Sequence, residues 1–400
     1  MGVVRCFRYV LVFILCLTFF GTSVGFTEDI SSEEDLPQEN DFEEVPQDVP
    51  EETPQDMVDT EIIRGSVLSV EERVEDEDNF FTEYQLAEVE ITSGPNEGEI
   101  HEIENLLTDH PYYDIHLEEG DEVLLMASYD NYKLIQLDIY DIARDHYIYY
   151  TLGAFLVLMV IVGGVTGLKT ILTLAFTFFM IVNVLLPLIL RGYNPLWLTI
   201  AISSFVAIVT LATIGGLGKK TLVALFGTVG GLIVAGTLAL FVGNRASLTG
   251  LSSEEAQMLH FAETGSIDLQ GLLFAGIIIG ALGAVMDIGM SIASSSYEIV
   301  QANPRTDRNQ LIKSGMNVGK DIMGTMANTL VLAYTGSAMP LLLLLLMYDT
   351  PLIEIMNMDL MATEIIRALA GSIGLVVVIP LTSVAAGFLF LSDSGKRRKR

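Results

Sequence analysis

The stretch LQGLLFAGIIIGALGAVMDIGMS, residues 269–291, contains a single charged residue, Asp287. A helix of about 20 mainly apolar residues crosses the hydrocarbon core of a bilayer, so this stretch predicts a transmembrane helix. Six further stretches meet the same requirement: 147–167, 170–190, 196–217, 221–243, 321–347 and 367–391. The sequence therefore predicts an α-helical polytopic membrane protein with seven transmembrane helices.

The charges of the chain are concentrated outside these apolar stretches. The 400 residues are 51% hydrophobic, yet the formal net charge is -30. Residues 26–144 hold 37 Asp and Glu against 4 Lys and Arg, whereas residues 145–400 hold 14 against 15. This division excludes a single soluble globule. A segment so acidic also argues against a nucleic-acid partner, whose phosphates it would repel.

The first 26 residues have the plan of a secretory signal peptide or of an uncleaved N-terminal anchor. Arg5 and Arg8 precede the apolar run YVLVFILCLTFFG at 9–21, and small residues follow it. In either case the segment that follows is predicted to lie outside the cytoplasm. Both cysteines of the chain fall within these residues, so a mature chain would contain no structural disulfide and no thiolate metal site.

Two different segments separate this leader from the first span. Residues 27–61 contain 15 Asp and Glu, four prolines and no Lys or Arg, which predicts a disordered acidic tether. Residues 62–144 contain short runs of alternating polarity, divided by the turn signals SGPNEG at 93–98 and EGD at 119–121. This pattern predicts a small β-domain, either an OB-like barrel or a sandwich.

The distribution of basic residues predicts the orientation in the membrane. If the β-domain lies outside, twelve Lys and Arg fall on the cytoplasmic side and two or three on the outer side, as the positive-inside rule requires. The twelve are Lys169, Lys219, Lys220, Arg305, Arg308, Lys313, Lys320 and the KRRKR of 396–400. We therefore expect a multi-pass cell-membrane domain at 145–392, an extracytoplasmic segment at 27–144 and a cytoplasmic tail at 393–400.

Polar residues form one stripe on each of two neighbouring predicted helices. At 100° per residue, the polar side chains of the fifth span fall within about 60° of one another; they are Asp287, Ser291, Ser294 and Glu298. The stripe that enters the sixth span has spacings of 4, 3 and 4; its members are Asn317, Asp321, Gly324 and Asn328, with Lys320 beside Asp321. Since the two spans run in opposite directions, both stripes are expected at similar depth.

A carboxylate at membrane depth costs about 2.5–3.5 kcal/mol even on the milder insertion scales, so some interaction must offset it. Two interpretations stay open. Either Asp287 and Asp321 pair with Lys320 or Lys313 and simply hold the two helices together, or the stripes line a pathway for a solute or a proton. The remaining polar positions are weaker signals, among them Glu364 with Arg367, an i,i+3 pair at the outer end of the last span.

Enzymatic and cofactor chemistry is not indicated. His101, His110 and His116 lack the spacing of metal ligands, and the HExxH and GxGD motifs of hydrolases are missing. Two aspartates on adjacent helices are reminiscent of intramembrane aspartyl proteases, but Asp321 follows Gly319 and Lys320 rather than Gly-x-Gly. We expect a non-enzymatic protein without metal or cofactor.

The two stripes resemble those of the YibE/F-like family of bacterial multi-pass membrane proteins. The resemblance rests on GALGAVMDIGMSIASSSYE (280–298) and SGMNVGKDIMGTMANTLVLAYTGS (314–337), supported by VEITSGPNEGE (89–99), and extends over about 62–391. The resemblance implies a cell-membrane protein, often regarded as a permease, with no established substrate or mechanism.

The function expected from these observations is a permease for an ion or small solute, with a polar path between the fifth and sixth spans. Asp287 and Asp321 would carry charge or protons, and the glycines at 315, 319 and 324 would permit a break in the helix. The alternative is a scaffold or sensor whose β-domain binds an extracellular partner. A water-accessible cavity between the two spans would favour transport, and dry packing would favour the scaffold. Besides lipid, the partners left open are an oligomer or another membrane protein.

Overall fold

The structure of the chain, a computed structural model, describes residues 59–74, 83–108, 110, 114–130, 133–262 and 267–391. They belong to two compact units with a boundary between Val157 and Leu158. The predicted leader, nearly all of the predicted tether and the predicted tail lie outside the described residues.

Five antiparallel strands form one sheet in the first unit. They are β1 (Asp59–Val74), β2 (Glu83–Ile91), β3 (Ile100–Leu107), β4 (Glu122–Asp130) and β5 (Lys133–Ile142). The strand order is β3-β2-β1-β4-β5, and β3 also contacts β5, so the sheet curls into a nearly closed, barrel-like form. The predicted β-domain is therefore a barrel rather than a sandwich of two sheets, and its first strand begins three residues before Ile62.

Alternating burial explains why these residues form strands. In β4, Val123, Leu125 and Ala127 are completely buried while their neighbours are not, which is the period of two expected for one face on a core. Strand β1 pairs with β4 through its first half and with β2 through its second half, and Gly65 belongs to both pairings. A Cβ atom at Gly65 would lie 2.6 Å from the side chains of Leu125 and Val89, so only glycine fits at this bend.

The last strand leads into a long helix, α1 (Asp145–Met180). Arg64 Nη2 donates a hydrogen bond of 2.6 Å to Asp145 Oδ2, which ties the start of this helix to β1. Tyr147, Tyr149 and Tyr150 in its first turns are 58–72% exposed. Exposed tyrosines at the end of an apolar helix are typical of the membrane–water interface.

Helix α1 is broken at Gly164, where the backbone has φ 53° and ψ -128°. A Cβ atom at Gly167 would overlap the carbonyl oxygen of Met159, eight residues earlier. In a straight helix those residues are about 12 Å apart, so the chain turns back on itself here. The turn lies a few residues before the loop at 168–169 that the sequence predicted between the first two spans.

The remaining helices follow in chain order. After a π-helical turn (Ile181–Leu185) come α2 (Leu186–Leu190), α3 (Pro195–Gly215), α4 (Lys219–Arg245), α5 (Glu254–Ala262), α6 (Leu269–Ala302), α7 (Arg308–Ser337), α8 (Met339–Met347), α9 (Leu352–Asn357) and α10 (Asp359–Leu389). Among the described residues, five helices are long and apolar enough to cross a membrane, or six if α7 and α8 form one bent span. The chain is thus a helical membrane protein, with Asp145–Leu190 counted among the five as a single segment.

Helices α4, α6 and α10 form the centre of the bundle, with α3 and α7 packed against them. Small residues let α4 and α10 approach closely: a Cβ atom at Gly374 would lie 2.6 Å from Ala235 Cβ, and one at Gly231 would lie 3.0 Å from the carbonyl oxygen of Gly374. Branched apolar side chains such as Ile278, Val285 and Ile292 fill the space around them at 0% exposure. Small residues at the contact therefore let α4 and α10 approach closely, and large apolar side chains pack around them.

Helix α7 differs from its prediction. It begins at Arg308, well before the predicted start at residue 321, and the chain bends by 61° at Ala338 before α8, whose second residue is Pro340. The helix is continuous through Gly315, Gly319 and Gly324, so the break that these glycines would permit is not formed. The reason is that Gly315 and Gly319 serve close packing, whereas the proline that cannot continue a helix lies further on.

The close contact of α4 with α10 predicts that one methyl group destabilises the bundle. At Gly227 an added Cβ would overlap the Thr382 hydroxyl, whereas at Gly276 it would meet nothing within 4 Å. We expect Gly227→Ala to cost about 1–3 kcal/mol, the usual range for overpacking, and to lower the melting temperature in detergent. Gly276→Ala is the matched control, and equal melting temperatures for both variants would contradict the packing described here.

Candidate functional site

Helices α6 and α7 are antiparallel neighbours with a defined register. A Cβ atom at Gly315 would lie 3.3 Å from Ser296 Oγ, and one at Gly319 would lie 3.1 Å from Ile292 Cδ1. This register places Ser294 level with Asn317, Ser291 level with Lys320, and Asp287 level with Gly324. The two polar stripes therefore lie at the same depth on adjacent helices.

The structure places most of the eight predicted site residues at the surface of the chain. Ser291 and Ser294 are half-buried, and the other six are exposed: Asp287, Glu298, Asn317, Lys320, Asp321 and Asn328. Within the described part of the chain, none of the eight side chains makes a hydrogen bond or an ion pair with another residue. The pairing of Asp287 or Asp321 with Lys320 or Lys313, which the first interpretation required, is not formed.

The contact between α6 and α7 is closed rather than open. Gly315 and Gly319 bring α7 against Ile292 and Ser296 of α6 and against Ile379 and Ser383 of α10, without a gap between the helices. Two cavities of the bundle lie away from this contact, one lined by α3 and α4 near Leu217 and one lined by α8 and α9 near Leu346. Because most residues of the polar stripes are exposed, the stripes lie along the outer side of the packed contact in the described part of the chain.

On α7 the exposed stripe extends beyond the predicted residues. At spacings of 3 and 4 it includes Ser314, Asn317, Asp321, Gly324, Asn328, Val331 and Thr335, which we call the polar seam. All of these residues are exposed except Ser314, which is half-buried. The 21 residue steps from Ser314 to Thr335 correspond to about 32 Å at 1.5 Å per residue. This length matches the roughly 30 Å of the hydrocarbon core, so the seam is long enough to follow α7 across a membrane.

Buried hydroxyl groups form a second polar feature that the sequence did not single out. Thr228, Ser296, Thr382 and Ser383 are completely buried, and their hydroxyl oxygens have no hydrogen-bond partner in the described part of the chain. Other hydroxyls of the bundle, such as those of Thr329 and Thr335, donate to a carbonyl one turn earlier in their own helix. The buried hydroxyls differ from the others only in being covered by a neighbouring helix. The periodicity of one helix does not show which residues a neighbour covers, so the sequence could not predict them.

Glu364 and Arg367 of α10 form an ion pair that is better protected than the sequence indicated. Their side chains are 17% and 29% exposed, and Arg367 Nη1 donates to Glu364 Oε1. Glu364 Oε2 is buried and has no partner among the described residues. The i,i+3 spacing of opposite charges in an apolar helix was the signal for this pair.

The histidines of the β-domain do not come together. His101 lies 3.1 Å from Glu99, and Asp114 accepts hydrogen bonds from the backbone N–H groups of Thr108 and His110. These bonds, with a third from the Thr108 hydroxyl, hold the pKa of the Asp114 carboxyl below its usual range. No group of three or more His, Cys, Asp or Glu is arranged to hold a metal ion in the residues that the structure describes.

The half-buried ion pair of α10 predicts that replacing one partner lowers stability more than replacing both. Arg367→Met leaves a carboxylate uncompensated and should cost roughly 3 kcal/mol, the lower end of the range for breaking a buried pair. Glu364→Gln with Arg367→Met removes both charges and should recover most of the lost stability. Melting temperatures in detergent measure both, and a double variant no more stable than Arg367→Met would contradict this account.

Comparison with known proteins is consistent with this membrane architecture. A family model described as YibE/F-like protein matches residues 151–392, which include both polar stripes and more than half of the chain. The segment VEITSGPNEGE of the β-domain lies outside the matched residues. No curated protein and no solved structure matches the chain. The chain belongs to the YibE/F-like family.

Proposed function

We propose that the chain is a membrane permease for an ion or small solute and that its path follows the polar stripes of α6 and α7. The observation that carries this proposal is that Asp287 and Asp321 lie at neighbouring levels on adjacent helices, exposed and unpaired in the described part of the chain. Ionisable side chains within membrane spans usually face a water-filled cavity or a partner, and they mark ion and proton pathways.

The chemistry of the stripes favours a cation or a proton. Carboxylate, amide and hydroxyl oxygens are ligands for hard cations, and a carboxylate can also carry a proton. In this proposal Asp287 and Asp321 carry charge or protons, while Ser291, Asn317 and Asn328 line the path. The arrangement needs no enzymatic step, metal centre or cofactor.

We propose seven membrane crossings. The break at Gly164 divides Asp145–Leu190 into arms of 19 and 26 residues, each about 28 Å long or longer, and the bent pair α7 and α8 supplies one further crossing. An odd number places the β-domain and the C-terminus on opposite sides of the membrane. With the β-domain outside, the Lys and Arg around Arg308 fall on the cytoplasmic side, in keeping with the positive-inside rule.

The bend at Ala338 supports a transport role. Broken helices are common in transporters, where their freed backbone groups lie near the path of the substrate. In this chain the break follows directly on the end of the polar seam, three residues after Thr335.

The test is flux in proteoliposomes that contain a pH-sensitive dye, driven by a proton gradient, with sodium uptake measured in parallel. We expect Asp287→Asn and Asp321→Asn to lower the rate roughly tenfold or more, a ratio that corresponds to about 1.4 kcal/mol in the barrier. Glu254→Gln, an exposed acid of α5, is the matched control and should leave flux unchanged. Normal flux in well-folded Asp287→Asn and Asp321→Asn proteins would contradict the assigned roles.

One observation favours the alternative of a scaffold or sensor, namely the closed contact of α6 with α7. Deletion of residues 27–142 separates the two functions. A permease retains measurable flux after this deletion, whereas a sensor loses its response because the β-domain is the part that binds its partner. Absence of flux in the intact protein under every imposed gradient would favour the scaffold.

A further inference from the structure

We infer that the polar seam of α7 is the surface on which a second copy of this chain docks in the membrane, so that the polar path is completed between two copies. The docking surface follows from the geometry of α7. Its role in a path rests on the proposed function, and the experiment below separates the two.

The polar seam of a single chain exposes polar side chains where lipid would surround them. Asn317, Asp321 and Asn328 are exposed on the single chain, although the seam is as long as the hydrocarbon core is thick. Lipid offers neither hydrogen bonds nor hydration to such groups, so polar side chains in a span are turned toward protein or water. The apolar faces of the bundle are suited to lipid, and the seam is not. In the membrane it must therefore face water or be covered by protein.

The residues of the seam are spaced for contact with one partner helix. Residues 317, 321, 324 and 328 repeat at intervals of 4, 3 and 4, which is the spacing by which one helix faces a single partner helix along its length. In a dimer with its twofold axis along the membrane normal, the two copies of α7 run parallel and equivalent residues meet at equal depth. Gly324 lies at the middle of the seam, and an added Cβ there would meet nothing within 4 Å, so a partner helix can approach closely.

The side chains of the seam can bind an identical set of side chains. An asparagine amide contains both a donor and an acceptor, so Asn317 and Asn328 can each satisfy the same residue of a second copy. Polar asparagines at such positions are known to fix the register of paired helices. Lys320 is exposed at the edge of the seam beside Asp321, so a parallel pair of α7 helices brings a cation of one copy near each Asp321 carboxylate of the other. A face of one sign would instead require a partner of the opposite sign.

The path that results is shared by two copies. Asp287 lies level with Gly324 of the neighbouring helix and is exposed, outside the contact of α6 with α7. When a second copy covers the seam, it encloses the path that a single chain leaves open. Each copy contributes its own aspartates and asparagines to the interface. A single chain lacks half of the groups that face the substrate.

The experiment is disulfide crosslinking of the full chain in native membranes. In a background of Cys6→Ser and Cys16→Ser, Gly324→Cys places one thiol at the middle of the seam, where the structure has room for it. A disulfide forms only when the two Cα atoms come within about 7 Å, so copper phenanthroline should produce a band of twice the monomer mass on a non-reducing gel.

The matched control is Phe226→Cys, which lies on α4 at nearly the same level and is 71% exposed, but faces away from the seam's helix. It should remain monomeric under the same oxidation. Replacing Asn317 and Asn328 by Leu in the Gly324→Cys protein should reduce the crosslinked fraction at least severalfold, with a melting temperature that shows the fold intact. A lack of crosslinking at Gly324→Cys, or equal crosslinking at Phe226→Cys, would overturn the proposal.

Flux measured on the same proteins distinguishes this proposal from the proposed function. Crosslinking at Gly324→Cys together with unchanged flux in Asp287→Asn and Asp321→Asn would support the docking surface and contradict the path. Full flux per copy from vesicles reconstituted so dilutely that each holds at most one copy would support the path and contradict the docking surface.

Discussion

A carboxylate or amide in the hydrocarbon of a bilayer must find water or a polar partner, because the lipid supplies neither. Most of this chain obeys that constraint within itself. Helical hydroxyls such as Thr329 donate to their own backbone, and Glu364 pairs with Arg367. The exposed residues of α7, among them Asp321, have no such partner within the single chain. The proposed function and the proposed assembly both follow from that lack.

The interior of the bundle explains why the exception lies where it does. Gly315 and Gly319 occupy the face of α7 that contacts α6 and α10, where a larger residue would collide with Ile379. Once glycine is fixed on that face, the 4, 3, 4 stripe is turned away from the bundle. The glycines and the polar residues of α7 thus occupy opposite faces of the same helix. The orientation of the site therefore depends on glycines that take no part in its chemistry.

The apolar spans and the alternating strands could be predicted from the sequence, because length, charge and periodicity are local properties. The ends of α7 could not, since the helix begins in a basic stretch near Arg308 and stops before Pro340 rather than at its glycines. Both polar stripes were also predictable from spacing alone. Their exposure was not, because a helical pattern shows which residues share a face but not which neighbour that face meets.

The central claim is that the polar seam faces a second copy of the chain and not lipid. The most direct measurement is an experimental structure of the full chain in lipid nanodiscs by electron cryomicroscopy. The account predicts two copies related by a twofold axis along the membrane normal, with Gly324 of one α7 against Gly324 of the other and ordered density between the aspartates. A single copy whose Asn317, Asp321 and Asn328 face the lipid, or a dimer joined through another helix, would contradict it.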